Sequence, residues 1–388
     1  MGILAINAGS SSIKCAYFQR IEDELSNRGS FSCQDIHTAP KTEFVLDGAV
    51  KSHSKLPKAE NPYDGFLALV IGCLNTNDCD ISAVGHRVVH GGNTHTQPTV
   101  VTDKVVSSLW ELASLAPLHQ PVNLRLVDTM SSYLPDVQQV ACFDTMFHQA
   151  IPEVERCYAL PKSLTAQGIY AYGFHGLSYE YVFRTLSQLD PSIAHERVVI
   201  AHLGAGASLC GVKEGVSVVT TMGFSPADGL PMATRCGRID PGVLLYLLKE
   251  KSLTTCELED LLFRQSGLLG MSGTSGSMKA LRAENSLDAK HAIDTFVYRT
   301  ASEIGYLAAA MQGIDRLVFT GGIGENDPLT RAGIVTRCGW LGFELDKPAN
   351  LKNLSTISDA KSSGGLHVIP TDEESMIAEH TAQALDAC

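Results

Sequence analysis

Short apolar runs that end at a glycine-rich turn occur at two places, about half the chain apart. Near the N-terminus, an apolar run beginning at Gly2 meets a Gly/Ser turn at Gly9 and resumes at Ile13. Midway along the chain, a run from Arg197 meets a second turn that includes Gly206. Each pattern predicts two strands joined by a turn. With Gly9 aligned to Gly206, the repeat indicates duplicated halves that face each other across a cleft, although two such matches also arise by chance.

Elsewhere the apolar positions predict both helices and strands. Spacings of three and four residues are typical of a helix with one buried face, and short apolar runs are typical of buried strands. The pattern predicts helices over 103–115 and 287–312, a helix capped by Asp327 with Pro328 first, a last helix from near Thr371, and strands over 137–143 and 317–320. Thr371 and Glu374 have capping-box spacing, and the polar segments 34–62 and 350–365 predict surface connections. This mixture indicates an α/β fold.

The length and composition indicate a globular protein of two domains. Its 388 residues exceed what one hydrophobic core usually supports, and 44% of them are hydrophobic. The formal net charge of −12 disfavours nucleic acid or an anionic membrane surface as a partner, because both need a basic face. A small anionic substrate in a locally basic cleft is compatible with this charge.

Cysteine usage and the N-terminal residues indicate a cytoplasmic protein. The 11 cysteines form no CxxC pair and no metal-ligand spacing, so we expect reduced thiols. No apolar run reaches the about 18–20 residues that a membrane-spanning helix needs. The first residues lack the basic segment and cleavage site of a signal peptide, so the sequence predicts a soluble intracellular protein.

Three glycine-rich turns each follow a predicted strand, at 7–12 with Lys14 beyond it, at 202–206 and at 321–326. Such turns let backbone N–H groups approach an anion, with serine hydroxyls and a lysine as further donors. One such turn alone is more typical of an ordinary hairpin, but three in an acidic protein favour a phosphate-handling cleft. None has the spacing of a P-loop or of a Rossmann glycine motif.

Four polar side chains stand where a site would form. Arg87, at a predicted strand end, is suited to fork onto a carboxylate or phosphoryl oxygen, with a surface ion pair as the alternative. Asp144 follows a strand, where α/β active sites gather, or else caps a turn. His175 lies between glycines that would expose its ring, with a buried structural histidine as the alternative. Arg235 lies in a second turn-rich stretch.

Eight motifs follow one another along the chain: NAGSSSIK, HRVVHGG, FDTMFH, YGFHGLS, HLGAGAS, DGLPMATRCGRIDPG, FTGGIGEN and IPTDEE. This ordered set resembles the acetate kinase family of short-chain carboxylate kinases over essentially the whole chain. The resemblance implies the actin/Hsp70/sugar-kinase fold, an α/β fold of two domains with a duplicated βββαβαβα core and the active site in the cleft between them. It implies an acyl and phosphate domain at 1–149 with a returning C-terminal helix at 371–388, and a nucleotide-binding domain at 150–370.

The resemblance also implies roles for residues on the acyl side. Arg87 and Arg235 correspond to the pair that binds the substrate carboxylate and the moving phosphoryl group. Asp144 corresponds to the catalytic carboxylate and His175 to the transition-state stabiliser. Because acetate is already an anion, we expect Asp144 to hold metal and water geometry rather than to act as a base. The implied apolar pocket for the acyl chain consists of Val89, Leu118 and Pro226.

On the nucleotide side, the resemblance implies two phosphate loops, a further contact segment and an adenosine loop. These are Asn7, Ser10, Ser12 and Lys14 in the first phosphate loop, His202, Leu203, Gly204, Ala205 and Gly206 in the second, Ser277, Met278 and Lys279 in the contact segment, and Gly321, Gly322, Ile323, Gly324, Glu325 and Asn326 in the adenosine loop. Asn7 and Glu373 are the implied residues at Mg²⁺, for which Mn²⁺ is an alternative.

The nucleotide side departs from the family pattern at three positions. The second phosphate loop usually reads HLGNG and here contains Ala205, while the usual SSDxRD stretch has Ser277 and Lys279 in place of its Asp and Arg. These changes remove an amide, a carboxylate and a bidentate guanidinium. We therefore expect loose selection among nucleotide donors.

The activity implied by the resemblance is reversible phosphoryl transfer from ATP to acetate, giving acetyl phosphate and ADP by direct in-line transfer in a homodimer. A propionate kinase is the nearest alternative, because one methylene in an apolar pocket is worth only ~1–3 kcal/mol. A catalytically weak nucleotide-binding module of the actin/Hsp70 type is an alternative from another class. The complete acyl side argues against that module, because a nucleotide switch needs no carboxylate pocket.

Overall fold

The computed structural model describes residues 1–9, 12–22, 24–51, 56–59 and 61–387. Contacts divide the chain into two units: the first unit is Met1–Met146 with Asp372–Cys388, and the second unit is Phe147–Thr371. The helices of the described residues are each too short or too polar to cross a membrane. The described cysteines are free thiols.

The strands of the described residues form one sheet in each unit. In chain order they are β1 (Gly2–Ala8), β2 (Ile13–Ile21), β3 (Glu24–Gln34), β4 (Lys41–Leu46), β5 (Ala49–Lys51), β6 (Ala83–Val88), β7 (Thr99–Val100), β8 (Gln138–Phe143), β9 (Arg197–Leu203), β10 (Ala207–Lys213), β11 (Val216–Thr220), β12 (Arg316–Thr320) and β13 (Gly365–Val368). The first sheet has the order β5-β4-β3-β2-β1-β6-β8-β7, and the second has the order β11-β10-β9-β12-β13.

Both sheets contain the same five-strand core. The order β3-β2-β1-β6-β8 in the first unit corresponds to β11-β10-β9-β12-β13 in the second. In the first unit, β2 pairs antiparallel with both β1 and β3, whereas β6 pairs parallel with β1 and with β8. In the second unit, β10 pairs antiparallel with both β9 and β11, whereas β12 pairs parallel with β9 and with β13. This duplicated core confirms the predicted fold class.

The structure corrects the alignment of the two halves by two residues. Gly9 follows β1, and its N–H donates across the turn to the carbonyl of Ser12 at 2.9 Å. Gly204 follows β9, and its N–H donates across the turn to the carbonyl of Gly206 at 3.0 Å. Gly9 therefore corresponds to Gly204 rather than to Gly206.

The described residues also form fifteen α-helices. In chain order they are α1 (Pro62–Thr76), α2 (Asp103–Trp110), α3 (Gln120–Tyr133), α4 (Glu153–Arg156), α5 (Lys162–Thr165), α6 (Gly176–Leu189), α7 (Pro241–Lys249), α8 (Thr255–Arg264), α9 (Gly267–Ser272), α10 (Met278–Ala283), α11 (Leu287–Met311), α12 (Gly321–Asn326), α13 (Pro328–Arg337), α14 (Lys347–Leu351) and α15 (Glu373–Asp386). Short 3₁₀ turns occupy Ala113–Leu115, Met146–His148, Pro191–His195 and Gly339–Leu341.

Apolar side chains join each sheet to its helices. In the first unit, Phe44 packs edge-on against Phe31 of β3 and Phe66 of α1, with ring centroids 5.1 and 5.6 Å away. In the second unit, Val182 and Leu186 of α6 belong to one buried cluster with residues of β9, β10 and β12. Helix α15 packs on β1, β6 and β8, so the C-terminal helix belongs to the first sheet.

Several predicted elements are confirmed with small changes of boundary. Helix α11 matches the prediction for 287–312 and ends at Met311, because Gln312 adopts a left-handed conformation with φ 61° as its C-cap. Asp327 caps α13, with Pro328 as its first residue. Strand β8 fills the predicted segment 137–143 from its second residue, and β12 begins one residue before the predicted 317.

Other predicted elements are wrong. The helix over 103–115 ends at Trp110 and is followed by a separate 3₁₀ turn. The segment 34–62 is not all connection, because β4 and β5 form a hairpin within it; residues 52–55 and 60 lie outside the described residues. The glycine-rich turn 321–326 is a short helix, α12.

The start of the last helix also differs from its prediction. Asp372 is the N-cap, and its carboxylate accepts from the Ser375 N–H at 2.9 Å and from the Ser375 hydroxyl at 2.7 Å. Among the described residues, the buried Oγ1 of Thr371 has no hydrogen-bond partner. Glu374 does not complete a capping box, because its carboxylate is bound elsewhere in the first unit.

Candidate active site

Three polar side chains lie at the carboxyl edge of the first sheet. Strands β1, β6 and β8 run parallel, so Asn7, Arg87 and Asp144 reach the same edge. The guanidinium of Arg87 donates to both carboxylate oxygens of Asp144, from Nε at 2.8 Å and from Nη2 at 2.6 Å. Its Nη1 donates to Oδ1 of Asn7 at 3.0 Å. The fork predicted for a substrate anion is thus oriented by Asp144 in this structure.

Two glutamates at the start of α15 join the same group. The side-chain amide of Asn7 donates to Oε2 of Glu373 at 2.8 Å and to Oε1 of Glu374 at 2.7 Å. Oε2 of Glu373 also lies 3.9 Å from Nη1 of Arg87. We call Asn7, Arg87, Asp144, Glu373 and Glu374 the Arg87 cluster.

Burial shapes the electrostatics of the Arg87 cluster. Desolvation alone would lower the pKa of Arg87, but the negative charges of Asp144 and Glu373 outweigh it and raise that pKa. Burial raises the pKa of the Glu374 carboxyl, although the positive charge of Lys14 opposes this shift. The capping-box spacing predicts Glu374 at a helix cap, whereas its carboxylate accepts from Asn7 in this cluster. Two adjacent glutamates at a helix start carry no signal that separates these roles.

The predicted acyl-pocket residues are divided between the units. Val89 is buried just after β6, where its N–H donates to Oδ1 of Asn123 at 3.2 Å. Leu118 is half-buried in the same unit. Pro226 is buried in the second unit, and its carbonyl accepts from Nη1 of Arg235 at 2.7 Å.

The first phosphate loop lies in the β1–β2 hairpin. Lys14 stands opposite Asn7 in the strand register, and its side chain is exposed. The hydroxyl of Tyr63 donates to the Gly9 carbonyl at 2.7 Å, which fixes the start of the turn. Ser12 is half-buried at its end, whereas Ser10 lies outside the described residues.

His175 has an uncommon backbone conformation in the second unit. Its φ of 59° is left-handed, and it stands immediately before α6 as the N-cap. Its buried imidazole hydrogen-bonds through Nδ1 to the hydroxyl of Ser208 at 2.8 Å, and that hydroxyl also hydrogen-bonds to Tyr179. The ring of His202 stacks on it at 4.3 Å, and Nδ1 of His202 pairs with the Ser178 hydroxyl. We call His175, Ser178, Tyr179, His202 and Ser208 the His175 cluster.

Gly206 of the second phosphate loop lies against two of the predicted catalytic groups. A Cβ placed on Gly206 would lie 3.2 Å from Nε2 of His175 and 3.5 Å from Nη2 of Arg235. The absence of a side chain on Gly206 leaves space beside both of these groups. The structure therefore brings His175, Arg235 and the second phosphate loop together.

His148 supports the turn that carries His175, and sequence analysis did not single it out. Its Nε2 lies 2.9 Å from the carbonyl of Phe174, and its Nδ1 lies 2.8 Å from the hydroxyl of Ser217. Because the carbonyl can only accept, Nε2 carries the proton. Burial lowers the pKa of His148 to about 4, so the ring is neutral. A Cβ on Gly173, whose φ is 79°, would lie 2.5 Å from Cγ of His148.

A cavity of about 740 Å³ in the second unit is lined by eight of the eighteen predicted nucleotide and phosphate residues. The predicted residues that line it are Gly204, Ala205, Ser277, Met278, Lys279, Gly322, Ile323 and Asn326. Leu203, Gly321 and Gly324 are buried beside it as backbone supports. Oε1 of Glu325 accepts from the N–H groups of Gly321 and Thr371, at 2.9 and 3.2 Å, so this side chain braces the loop.

Two arginines, Arg282 at this cavity and Arg331 against the backbone of the adenosine loop, were not predicted from the sequence. Arg282 lines it and is ion-paired with Asp327 at 2.7 Å. Arg331 is fully buried, and its guanidinium donates to the carbonyls of Gly324 and Glu325 at 2.8 and 3.0 Å. Ser277 caps α10, where its hydroxyl accepts from the Ala280 N–H at 3.4 Å, and Lys279 is exposed.

The model of the Acetokinase family matches residues 2–379, which is nearly the whole chain. The chain belongs to the acetokinase family. Curated relatives in this family include acetate kinases from Methylocella silvestris and Rhodopseudomonas palustris strain TIE-1. They are 44% and 46% identical to this chain, over 99% of it and 98% of each of theirs.

Solved structures of the acetokinase family share this fold. A propionate kinase from Francisella tularensis subsp. tularensis SCHU S4 superposes with a TM-score of 0.89 at 33% identity, over 98% of this chain and 99% of that one. Acetate kinase from Porphyromonas gingivalis gives a TM-score of 0.84 at 32% identity, over 99% of both chains.

Proposed function

We propose that this member of the acetokinase family is an acetate kinase. It transfers the γ-phosphoryl group of ATP to acetate and forms acetyl phosphate and ADP in a reversible, in-line reaction. The observation that carries this proposal is the Arg87 cluster, in which a half-buried guanidinium is oriented by Asp144 and lies beside Glu373. A nucleotide-binding switch has no use for such a group, whereas a carboxylate kinase must hold two anions close together.

Phosphoryl transfer needs little covalent help from the protein. Positioning the donor and acceptor in line and neutralising the equatorial oxygens do most of the work. In this proposal, Arg87 and Arg235 hold the substrate carboxylate and the moving phosphoryl group, and His175 stabilises the charge of the transition state. Val89, Leu118 and Pro226 contact the methyl group of acetate.

Asp144 orients Arg87 rather than removing a proton. The acetate nucleophile is already ionised near neutral pH, since an ordinary carboxyl has a pKa near 4. The bidentate pair fixes the plane of the guanidinium before substrate arrives, which lowers the entropy cost of binding a second anion. The sequence predicts that Asp144 holds metal and water geometry. Its pairing with Arg87 adds a second role, the orientation of the guanidinium.

The residues present fit a divalent cation of the type that kinases require. Mg²⁺ prefers oxygen ligands and usually takes one or two carboxylates, with water and substrate phosphates completing its octahedron. Glu373 and Asn7 supply such oxygens, and the carboxylate of Glu374 accepts from the same Asn7 side-chain amide as Glu373 does. When bound, the cation would neutralise phosphate charge, and Mn²⁺ would suit the same ligands. Among the described residues, no cluster of three His, Cys, Asp or Glu forms an all-protein site.

The cavity of the second unit is the proposed nucleotide site. Its size suits a nucleoside, and its lining joins the second phosphate loop to the adenosine loop. Ser277 is committed to capping α10 and Lys279 is exposed, so neither forms a rigid fork for the ribose or base. Lys14 and the two glycine loops would then hold the nucleotide chiefly by its phosphates.

Propionate is the second candidate substrate, because a propionate kinase structure superposes on this chain with a TM-score of 0.89. One added methylene changes binding in an apolar pocket by only ~1–3 kcal/mol. We therefore expect both acids to react and acetate to have the higher kcat/KM.

We also infer that the enzyme acts as a homodimer in the cytoplasm. Support for the dimer comes from α7, on which Val243 and Tyr246 are both exposed on one face, three residues apart. A second copy of this chain would cover that apolar face. Light scattering of the wild type and of Tyr246→Glu tests this, and a monomeric wild type would contradict it.

The direct test of function is acyl phosphate formation. Purified protein is incubated with MgCl₂, hydroxylamine and acetate, propionate or butyrate, with ATP, GTP or pyrophosphate as the donor. We expect acetyl hydroxamate with ATP, and a higher kcat/KM for acetate than for the longer acids. If no acid forms a hydroxamate with any donor, while ATP still binds, the chain is a nucleotide-binding module instead.

A further inference from the structure

A chain of hydroxyl groups ends at the imidazole of His175. Oγ of Ser208 lies 2.8 Å from Nδ1 of His175, and the same oxygen hydrogen-bonds to the hydroxyl of Tyr179. Ser208 and Tyr179 are fully buried, so bulk water serves neither hydroxyl. All three residues belong to the second unit.

The hydrogen-bond donors and acceptors of Tyr179, Ser208 and His175 can be counted. Each hydroxyl has one hydrogen to donate, and a neutral imidazole has one donor and one acceptor nitrogen. Among the described residues, the Ser208 hydroxyl hydrogen-bonds to His175 and Tyr179 alone, and the Tyr179 hydroxyl to Ser208 alone. When Tyr179 donates to Ser208 and Ser208 donates to Nδ1, both hydroxyl hydrogens have an acceptor.

The other arrangements each leave a buried hydrogen unpaired. If Nδ1–H donates to Ser208 and Ser208 donates to Tyr179, the hydrogen of Tyr179 has no acceptor among the described residues. If both His175 and Tyr179 donate to Ser208, the Ser208 hydrogen has none. Buried polar groups in folded proteins are nearly always paired, so the first arrangement is favoured.

We propose that Tyr179 and Ser208 are positioning residues that hold His175 as a neutral imidazole with its proton on Nε2. The inference deepens the proposed function, in which His175 stabilises the transition state, and rests on it for the catalytic consequence. The tautomer itself is a property of the resting protein.

The surroundings of His175 also favour the neutral ring. Nε2 of His175 and Nη2 of Arg235 both lie near the position of a Gly206 Cβ, at 3.2 and 3.5 Å, and a nearby guanidinium disfavours a second positive charge. Two further titratable groups lie against this ring, His202 stacked at 4.3 Å and Tyr179 edge-on at 6.5 Å. Burial raises the pKa of Tyr179 well above its ordinary value, so its hydroxyl keeps the hydrogen that starts the chain.

The consequence is a donor of fixed direction beside the second phosphate loop. An Nε2–H group can hydrogen-bond to an equatorial phosphoryl oxygen throughout the transfer without losing its proton. The opposite tautomer would present a lone pair to the same oxygen and repel it. Tyr179 and Ser208 would thus act on kcat through His175, although neither touches the substrate.

Nitrogen-15 NMR of the full-length protein labelled at histidine measures the tautomer directly. Two-bond ¹H–¹⁵N correlations distinguish Nε2–H, Nδ1–H and doubly protonated rings, and the His175→Gln spectrum assigns the signal. At pH 7 we expect the wild type to show Nε2–H. An Nδ1–H or imidazolium ring in the wild type overturns the proposal, whether or not the protein makes acyl phosphate.

The variant Tyr179→Phe removes one hydroxyl and keeps the ring. The Ser208 hydroxyl then becomes free to accept from Nδ1–H, so we expect a mixture of tautomers and a fall in kcat of about tenfold, with both KM values unchanged. Tyr172→Phe is the matched control, because it deletes a partly buried tyrosine hydroxyl that donates to the Gly168 carbonyl at 2.9 Å in the same unit. We expect this control to keep the wild-type tautomer and kcat.

Two outcomes with Tyr179→Phe count against the proposal. A wild-type tautomer shows that Tyr179 does not set the proton position, and an altered tautomer with unchanged kcat shows that the proton position does not serve catalysis. Failure of the proposed function is recognised separately, because a wild type that forms no acyl phosphate would still give the histidine spectra.

Discussion

The Arg87 cluster and the His175 cluster solve different electrostatic problems. In the first, buried charges are fixed by opposite charges, as in the bidentate pair of Arg87 with Asp144. In the second, an imidazole is fixed by neutral hydroxyls, from Tyr179 through Ser208. Ion pairs fix charge and plane, whereas hydroxyl chains fix the direction of a hydrogen. The first cluster is therefore suited to holding an anion and the second to donating to a charge that develops during transfer.

The largest expected effect is that of Arg87→Ala. It removes the bidentate guanidinium from Asp144, whose side chain is only 2% exposed, and breaking such a buried ion pair costs ~3–5 kcal/mol of stability. We expect kcat/KM for acetate to fall at least about a hundredfold, and the Tm to fall with it.

Two further variants separate the loss of the fork from the loss of fold. Arg87→Lys keeps a positive charge for Asp144 but lacks the bidentate fork, so we expect a folded protein with weak acetate binding. Arg28→Ala is the control, because it removes an exposed bidentate pair with Asp47 in the same unit. A loss in kcat/KM of less than threefold in Arg87→Ala would return Arg87 to a structural role.

The next effect is that of His175→Ala, which removes the proposed transition-state donor. Loss of one such donor typically lowers kcat by about 10²–10³-fold. We expect both KM values to stay within about threefold, because the ground state makes little use of this hydrogen bond. Steady-state kinetics with ATP and acetate check this, and a change confined to Tm would contradict it.

The comparison of the two clusters also shows what sequence can and cannot predict. The β1–β2 and β9–β10 hairpins and α11 were predicted because their patterns are local. The β4–β5 hairpin was not predicted because exposed Lys41 and Glu43 alternate with buried Thr42 and Phe44. Such a mixture of polar and apolar residues resembles a polar loop. An outward-facing strand position and a loop position look alike in composition.

Site residues divide in the same way. Sequence motifs identified Arg87, Asp144, His175 and the glycine loops as candidate site residues, and their catalytic roles stay predictions. Glu374, Ser208 and Tyr179 were not found, because their partners are remote in sequence: Glu374 meets Asn7 at the other end of the chain. Adjacent glutamates or a buried tyrosine carry no mark of such contacts. Only the packing of α15 and α6 on their sheets makes them visible.

Gly173→Ala probes the turn before His175. The substitution places a Cβ 2.5 Å from Cγ of His148 and at a φ of 79°. Strain and overpacking together should lower the free energy of unfolding by ~2–3 kcal/mol and reduce kcat. Gly48→Ala is the matched control, because its φ is 78° but no atom lies within 4 Å of the added Cβ, so we expect ~1 kcal/mol. Equal losses in urea unfolding would contradict the role of His148 as a support.

Buried histidines predict loss of stability on the acid side. Burial lowers the pKa of His148 and of His86 to about 4, below the ordinary value of 6.5. Below pH 6.5 these two histidines become protonated in the unfolded chain but stay neutral in the folded protein. The free energy of unfolding therefore falls as the pH falls towards 4. The slope should be at most ~1.4 kcal/mol per pH unit for each histidine. Urea unfolding at pH 7, 6 and 5 measures it, and a flat profile would contradict the neutral rings.

The smallest effect concerns the nucleotide cavity. Ser277→Asp with Lys279→Arg restores the family residues, and aspartate can still cap α10. We expect KM for ATP to fall about threefold, with KM for acetate unchanged, and the wild type to discriminate ATP from GTP by less than about tenfold. Changing both together is necessary because neighbouring contacts need not add. A wild type that already prefers ATP a hundredfold would show that these positions do not govern the choice.

The most direct test of the account is the acetate saturation curve of the wild type, Arg87→Lys and His175→Ala at saturating ATP and MgCl₂. If the Arg87 cluster holds the carboxylate and the His175 cluster serves the transition state, Arg87→Lys raises KM for acetate at least about tenfold. His175→Ala then keeps that KM within about threefold and loses kcat. The same KM for acetate in all three proteins would contradict the division of labour between the two clusters.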